Sequence, residues 1–174
     1  MIGEAFPLGE QIKLHTFDFK LYPKLWNDFS VEEEIMLKLE WGETKFLNED
    51  GTDFSDEVKN FPIDSGGIYL FIIKSNVLKG ISEYLAYIGR AQFTENHNLR
   101  VRCKRYLTQY INENERPKIT TLMNYFKDHL YIRYTKVSSN ELIIKLEAEL
   151  INSLLPPFND EIPNKIVRQA VNAF

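Results

Sequence analysis

The sequence predicts an α/β protein of the α+β type, in which a short three-stranded sheet, mixed or antiparallel, is flanked by helices. Two observations carry that prediction. Three segments read as strands: the apolar, β-branched and aromatic run Ile68-Tyr69-Leu70-Phe71-Ile72-Ile73, the run Tyr84-Leu85-Ala86-Tyr87-Ile88 closed by Gly89, and an alternating stretch at residues 130–136. Between and after them, apolar residues recur at spacings of three and four, as in helices with one buried face. The order strand, strand, helix, helix, strand, helix makes a small sandwich.

Each element has a local reason. Ser65-Gly66-Gly67 breaks the chain ahead of the first strand, whose unrelieved apolar character predicts a central position covered on both faces. A polar stretch at residues 74–83 leads to the second strand, and two strands so joined predict an antiparallel pair. Leu99, Cys103, Tyr106, Leu107 and Tyr110 form the apolar face of a helix at about residues 98–111. Ile119, Leu122, Met123 and Phe126 do the same for a helix at about residues 119–128. Ser138, with Glu141 three residues on, reads as a capping box opening a last helix, which Pro156-Pro157 stops near residue 155. The first 60 residues carry weaker signals: a strand at 12–17, a strand or helix end at 35–41, and a turn at 48–53 centred on Asp50-Gly51. They are expected to form an N-terminal extension packed on a domain of residues 61–174.

Of 174 residues 44% are apolar, enough for a core, and no run approaches the length of a membrane span. Met1-Ile2-Gly3-Glu4 lacks the basic start of a signal peptide. Cys103 is the only cysteine, which excludes a disulfide framework and a thiolate metal cluster and suits a reducing cytoplasm. The net charge of −4 argues against a nucleic-acid partner until the chain is divided. Residues 1–60 hold 14 acidic and 6 basic side chains, a net of −8, whereas residues 61–174 hold 11 and 15, a net of +4. This asymmetry predicts two functional parts: a basic one suited to phosphate, and an acidic one available to a protein partner or a second copy of the chain.

The last helix contains an anomaly. At about 100° per residue, Ile143, Ile144, Leu150, Ile151 and Leu154 all fall within about 60° of Glu147, while Glu149 points the opposite way. Glu147 therefore sits in the middle of an apolar stripe, where a carboxylate needs a compensating partner. An ion pair with Arg or Lys and a metal or catalytic role both satisfy that need. On the earlier helix Arg102 lies one turn before Tyr106, so both point the same way, with Arg100, Lys104 and Arg105 adding positive charge. His15, His97 and His129 share no ligand spacing.

Gly67-Ile68-Tyr69 on one strand and Tyr87-Ile88-Gly89 on the next resemble the two tripeptides that name the GIY-YIG nuclease superfamily. Asn98-Leu99-Arg100-Val101-Arg102, followed by Tyr106-Leu107, is similar to the family's first helix, with Arg102 at the essential arginine. Glu147 within Leu146-Glu147-Ala148-Glu149-Leu150-Ile151, then Pro156-Pro157-Phe158-Asn159, resembles its closing signature of glutamate, proline and asparagine. The resemblance is to the nuclease module of the bacterial excinuclease, to phage homing endonucleases and to GIY-YIG restriction enzymes. It covers residues 61–160 and departs in two places: a connection of 17 residues between the tripeptides, at 70–86, and extra residues at 92–97. Such insertions are expected in loops that shape substrate choice.

The resemblance implies the GIY-YIG fold and an endonuclease that hydrolyses DNA with one Mg²⁺, or Mn²⁺ in its place, held by Glu147. It implies Arg102 on the scissile phosphate, Tyr69 as general base, Tyr87 and Tyr106 holding water and phosphate, and Asn159 tying the C-terminal loop to the site. Arg90 stands where some relatives have a lysine cast as base, and an arginine cannot deprotonate at working pH. Arg90, Arg100, Lys104 and Arg105 are the expected nucleic-acid contacts. A restriction or mobile-element enzyme is the first expectation. The others are a structure-selective repair or recombination nuclease with a protein partner, and a nucleic-acid-binding protein that has lost catalysis.

Overall fold

The computed structural model describes residues 5–173; the reading of Met1-Ile2-Gly3-Glu4 lies outside them. In chain order the elements are helices α1 (Ala5–Leu14), α2 (Pro23–Asp28) and α3 (Glu33–Met36), strands β1 (Gly42–Lys45), β2 (Gly66–Lys74) and β3 (Glu83–Ala91), and helices α4 (Leu99–Ile111) and α5 (Pro117–Phe126). Strand β4 (Leu130–Val137) and helices α6 (Asn140–Leu154) and α7 (Lys165–Ala173) complete the described chain.

The strands form one sheet in the order β1-β4-β2-β3, antiparallel at every pairing. β2 is central, as its apolar run predicts. Tyr69 and Phe71 pack with Leu99, Cys103 and Tyr106 of α4 and Leu122 of α5. Ile68 packs on the opposite face with Ile88, Ile143, Leu146 and Ile151. Helices thus cover both faces, and the whole is an α+β sandwich.

Several expectations need correction. The sheet has four strands, not three, and no parallel pair. The additional strand, β1, comes from the segment expected to be an extension, and Phe46, Leu47 and Val58 from the same segment are core residues. Residues 12–17 are not a strand but the end of α1 and the coil after it, whereas residues 35–41 follow the helix-end alternative, being the end of α3 and the coil after it. The turn at 48–53 is present, closed by a Leu47–Phe54 bridge, with Gly51 at φ +67° and Asn48 Oδ1 accepting from the Thr52 and Asp53 amides.

The apparent insertion at 70–86 is mostly strand. β2 and β3 each run nine residues, leaving residues 75–82 as the connection, and a bulge between Phe71 and Ile72 shifts their register. The N-cap of α6 is Ser139 rather than Ser138; its Oγ accepts from the Leu142 amide at 3.1 Å, and Glu141 falls in the first turn. On α6, Ile144 and Leu154 are exposed, so the apolar stripe is narrower than the helical wheel predicts, and Glu149 is half-buried rather than fully solvated. α7 was not expected; Asn164 caps it, with Oδ1 accepting from the Val167 amide at 3.1 Å. Among the described residues no helix is long and apolar enough to cross a membrane.

Because β1 protects the edge of β4 and its neighbours fill the core, a chain beginning at Phe61 should not melt cooperatively. Losing a buried Phe or Leu costs about 2–5 kcal/mol each, against a total stability of about 5–15 kcal/mol. Thermal denaturation followed by circular dichroism checks this, and a sharp transition in the truncated chain would show the first 60 residues to be dispensable.

Candidate active site

Tyr69 and Gly89 face each other across the β2–β3 hairpin. A Cβ at residue 89 would lie 2.4 Å from the Tyr69 hydroxyl, so the tyrosine can cross β3 only where the side chain is absent. At Gly67 a Cβ would fall 1.9 Å from the Thr135 carbonyl oxygen. Close approach, not an unusual backbone angle, accounts for both glycines.

The crossing carries the Tyr69 hydroxyl to 2.7 Å from that of Tyr106, which donates to the Tyr87 hydroxyl at 3.2 Å. Arg102 enters this cluster from α4, with Nε donating to Tyr69 at 3.1 Å and a terminal nitrogen to Tyr106 at 3.4 Å. Arg116, at the N-cap of α5, donates to Tyr87 at 3.2 Å and to Tyr106 at 3.5 Å. Burial pushes the Tyr69 and Tyr106 phenols well above their ordinary range, although Arg102 pulls each partly back. Burial also opposes the Arg102 charge, but the phenol oxygens more than offset it and hold the guanidinium above its usual range.

Over this cluster opens a cleft of about 530 Å³ whose walls include Tyr87, Arg90, Arg102, Arg116, Glu147 and Asn159. It straddles β3, the edge strand. Tyr87 belongs to the α4 face, and two positions on from Ile88, Arg90 meets Glu147 of α6 in an ion pair. Glu147 has only 14% of its side chain exposed. Burial raises its pKa, against the pull of Arg90 and, more weakly, of Arg102 and Arg116. Asn159 seals the strand edge: its Oδ1 accepts from the Ile88 amide at 2.9 Å, and its Nδ2 donates to the Ile88 carbonyl at 2.8 Å. The Phe158 amide extends this pairing to the Ala86 carbonyl at 3.1 Å.

Of the expected residues, Tyr87, Arg90, Arg102, Glu147 and Asn159 line one cleft, and Tyr69 and Tyr106 lie beneath it. Arg100 is drawn to the Phe61 carbonyl at 3.0 Å, and Lys104 and Arg105 are exposed on α4; none of the three lines the cleft. Tyr69, expected as the general base, lies below the surface of the cleft. It is fully buried, its hydroxyl is engaged by Tyr106 and Arg102, and its phenol is hard to ionise. In the cluster its hydroxyl accepts from Arg102 Nε.

Arg116 and Asp160 were missed. Arg116 reaches Tyr87 and Tyr106, and Asp160 reaches Arg116, only in the folded chain, and the one local signal was Pro117, which places Arg116 at a helix start. Gln92 and His97, from the extra residues at 92–97, also reach the cleft. Burial, then Arg105 and Arg102, lower the His97 pKa. Cys103 is buried, its thiol pushed up by burial, and offers no reactive thiolate.

Among the described residues no three His, Cys, Asp or Glu side chains gather as metal ligands. The cleft carboxylates are Glu147, Asp160 and Glu161. That donor set does not make a protein cage, but it fits an ion such as Mg²⁺ that keeps waters and borrows phosphate oxygens.

Two outcomes are expected. In a spectrophotometric titration of the nine tyrosines, Tyr69 and Tyr106 should stay protonated at pH 10–11 while the fold persists. Their folded pKa values are raised, so their stabilisation is complete below about pH 10 and is lost as pH climbs through the folded values. Stability by urea titration should therefore fall above about pH 10 and fall less in Tyr69→Phe. Gly89→Ala should cost about 1–3 kcal/mol by the same measurement, since the Tyr69 ring must move.

No protein-family model matches the chain, and neither does a curated protein or a solved structure.

Proposed function

We propose that the protein is a divalent-metal-dependent endonuclease of the GIY-YIG type, hydrolysing DNA phosphodiester bonds in this cleft. The observation that carries the proposal is convergence. Tyr69, Tyr87, Arg102, Tyr106, Glu147 and Asn159 come from β2, β3, α4, α6 and the segment after α6, and they meet around one edge of the sheet. Phosphodiester hydrolysis needs that mixture: fixed positive charge on the phosphate, hydroxyls to hold water, and an anionic group for a metal.

Each side chain has a part. Arg102 cannot lose its charge, and its planar fork suits a phosphate oxyanion. Tyr69 and Tyr106 hold the guanidinium in place by their hydroxyls. Tyr87 is the phenol that lines the cleft, and its hydroxyl would orient water against the phosphorus. Glu147 would hold Mg²⁺ or Mn²⁺, which when bound relieves charge on the phosphate and on the departing 3′ oxygen. Its ion pair with Arg90 gives entry of the strand a second effect, since a phosphate that engages Arg90 frees the carboxylate. Asn159 keeps β3 and the segment after α6 at a fixed separation.

The test is cleavage of plasmid, branched and single-stranded DNA with Mg²⁺ or Mn²⁺. Wild type should cut, and Glu147→Ala and Arg102→Ala should each lose about 10²-fold or more in rate. Discrete plasmid fragments would mark a restriction-type enzyme, and cutting only at branches a repair-type enzyme. No cleavage by wild type on any substrate, or undiminished cleavage by both variants, would remove the proposal.

A further inference from the structure

Arg116 belongs to none of the motifs in the sequence, yet it is tied into the cleft more closely than several residues that do. Its guanidinium lies 5.5 Å from the centre of the Tyr87 ring and donates to the hydroxyls of Tyr87 at 3.2 Å and Tyr106 at 3.5 Å. Arg102 reaches the same Tyr106 hydroxyl at 3.4 Å, so the two terminal nitrogens lie within about 7 Å of each other. Like charges this close repel at partly buried sites unless an anion comes between them. Arg116 has Glu115 at 3.4 Å and Asp160 at 3.6 Å. Arg102 donates to phenol oxygens and, among the described residues, is in no salt bridge with a carboxylate; Glu147 acts on it only through longer-range charge.

Both guanidiniums face the cleft, with 42% of the Arg116 side chain exposed. Charged N–H donors sit about 2.7–2.9 Å from a phosphate oxygen, so one phosphoryl group spans a gap of this size between two arginines. The Asp160 contact is longer than a hydrogen bond, and Asp160 is itself exposed, which makes it a replaceable counter-ion.

We propose that Arg116 is a second phosphate-binding arginine of this cleft, closing with Arg102 on one phosphoryl group of a nucleic-acid strand and giving up Asp160 as it does so. The proposal rests on the nuclease reading of the same cleft. It differs from a purely structural role, in which Arg116 only steadies Tyr87, because a steadying residue adds no charge to the bound state.

The experiment is equilibrium binding of a short fluorescein-labelled DNA duplex in EDTA, followed by anisotropy across a salt series. Each phosphate contact contributes about one unit to the slope of log K against log salt, so Arg116→Gln should flatten the wild-type slope by about 1, as should Arg102→Gln. Arg116→Lys should keep the slope while lowering the cleavage rate, since it retains the charge but not the planar fork. Asp160→Asn, which leaves Arg116 intact, should bind more tightly than wild type. An unchanged slope in Arg116→Gln, with Asp160→Asn binding no better than wild type, would overturn the clamp and leave the nuclease reading standing. Failure of wild type to bind duplex, branched or single-stranded DNA at any salt concentration would remove both.

Discussion

Tyr69 can lie across β3 because residue 89 has no side chain, and the polar centre of the molecule is built outward from that crossing. The Tyr69 hydroxyl meets Tyr106, Tyr106 meets Tyr87, and the three oxygens together receive Arg102 and Arg116. None of these groups is comfortable alone. A buried phenol needs a partner, and a partly buried guanidinium needs acceptors. Placed together, each satisfies the other, and two positive charges are held beside a cleft without a carboxylate salt bridge to Arg102 among the described residues.

The position of this cluster at the sheet edge matters as much as its composition. An inner strand would be covered by neighbours on both sides, whereas β3 has one free edge over which groups from both faces can meet. Tyr87 arrives from the α4 face, and Arg90 and Glu147 from the α6 face. An open edge also exposes backbone donors and acceptors that invite pairing with other chains. Phe158 and Asn159 occupy that edge at Ala86 and Ile88, so the same segment that borders the cleft protects the strand.

Much of this was legible in the sequence, for identifiable reasons. β2 and β3 read clearly because they are apolar or aromatic along most of their length, and α4 and α6 because their apolar residues keep helical spacing. Glu147 stood out because an acid interrupts such a face, although the sequence left ion pair and metal ligand both open and the fold supplies the ion pair with Arg90. β1 was not legible: Gly42-Glu43-Thr44-Lys45 is an edge strand with only Thr44 buried, and Glu43 is held by ionic contacts to Lys74 and Arg133 at 2.5 Å that no local pattern announces. Tyr69 was legible as a strand residue but not in its surroundings, since a tyrosine on a strand gives no sign of whether its hydroxyl meets water or other hydroxyls. Arg116 was invisible because only the folded chain brings it to Tyr87.

Asn159 pairs with Ile88 across 71 residues, and Arg133 with Glu43 across 90. Closures of such span set the order of events as a chain acquires its structure, because local helices form early and distant pairings late. β4 must be in place before β1 has a neighbour, and the segment after α6 must arrive before the edge of β3 is shut. The charged cleft is therefore closed by contacts between parts of the chain far apart in sequence. A chain elongating from its N-terminus carries tyrosines, arginines and hairpin for some time before the carboxylate and amide that complete the cleft.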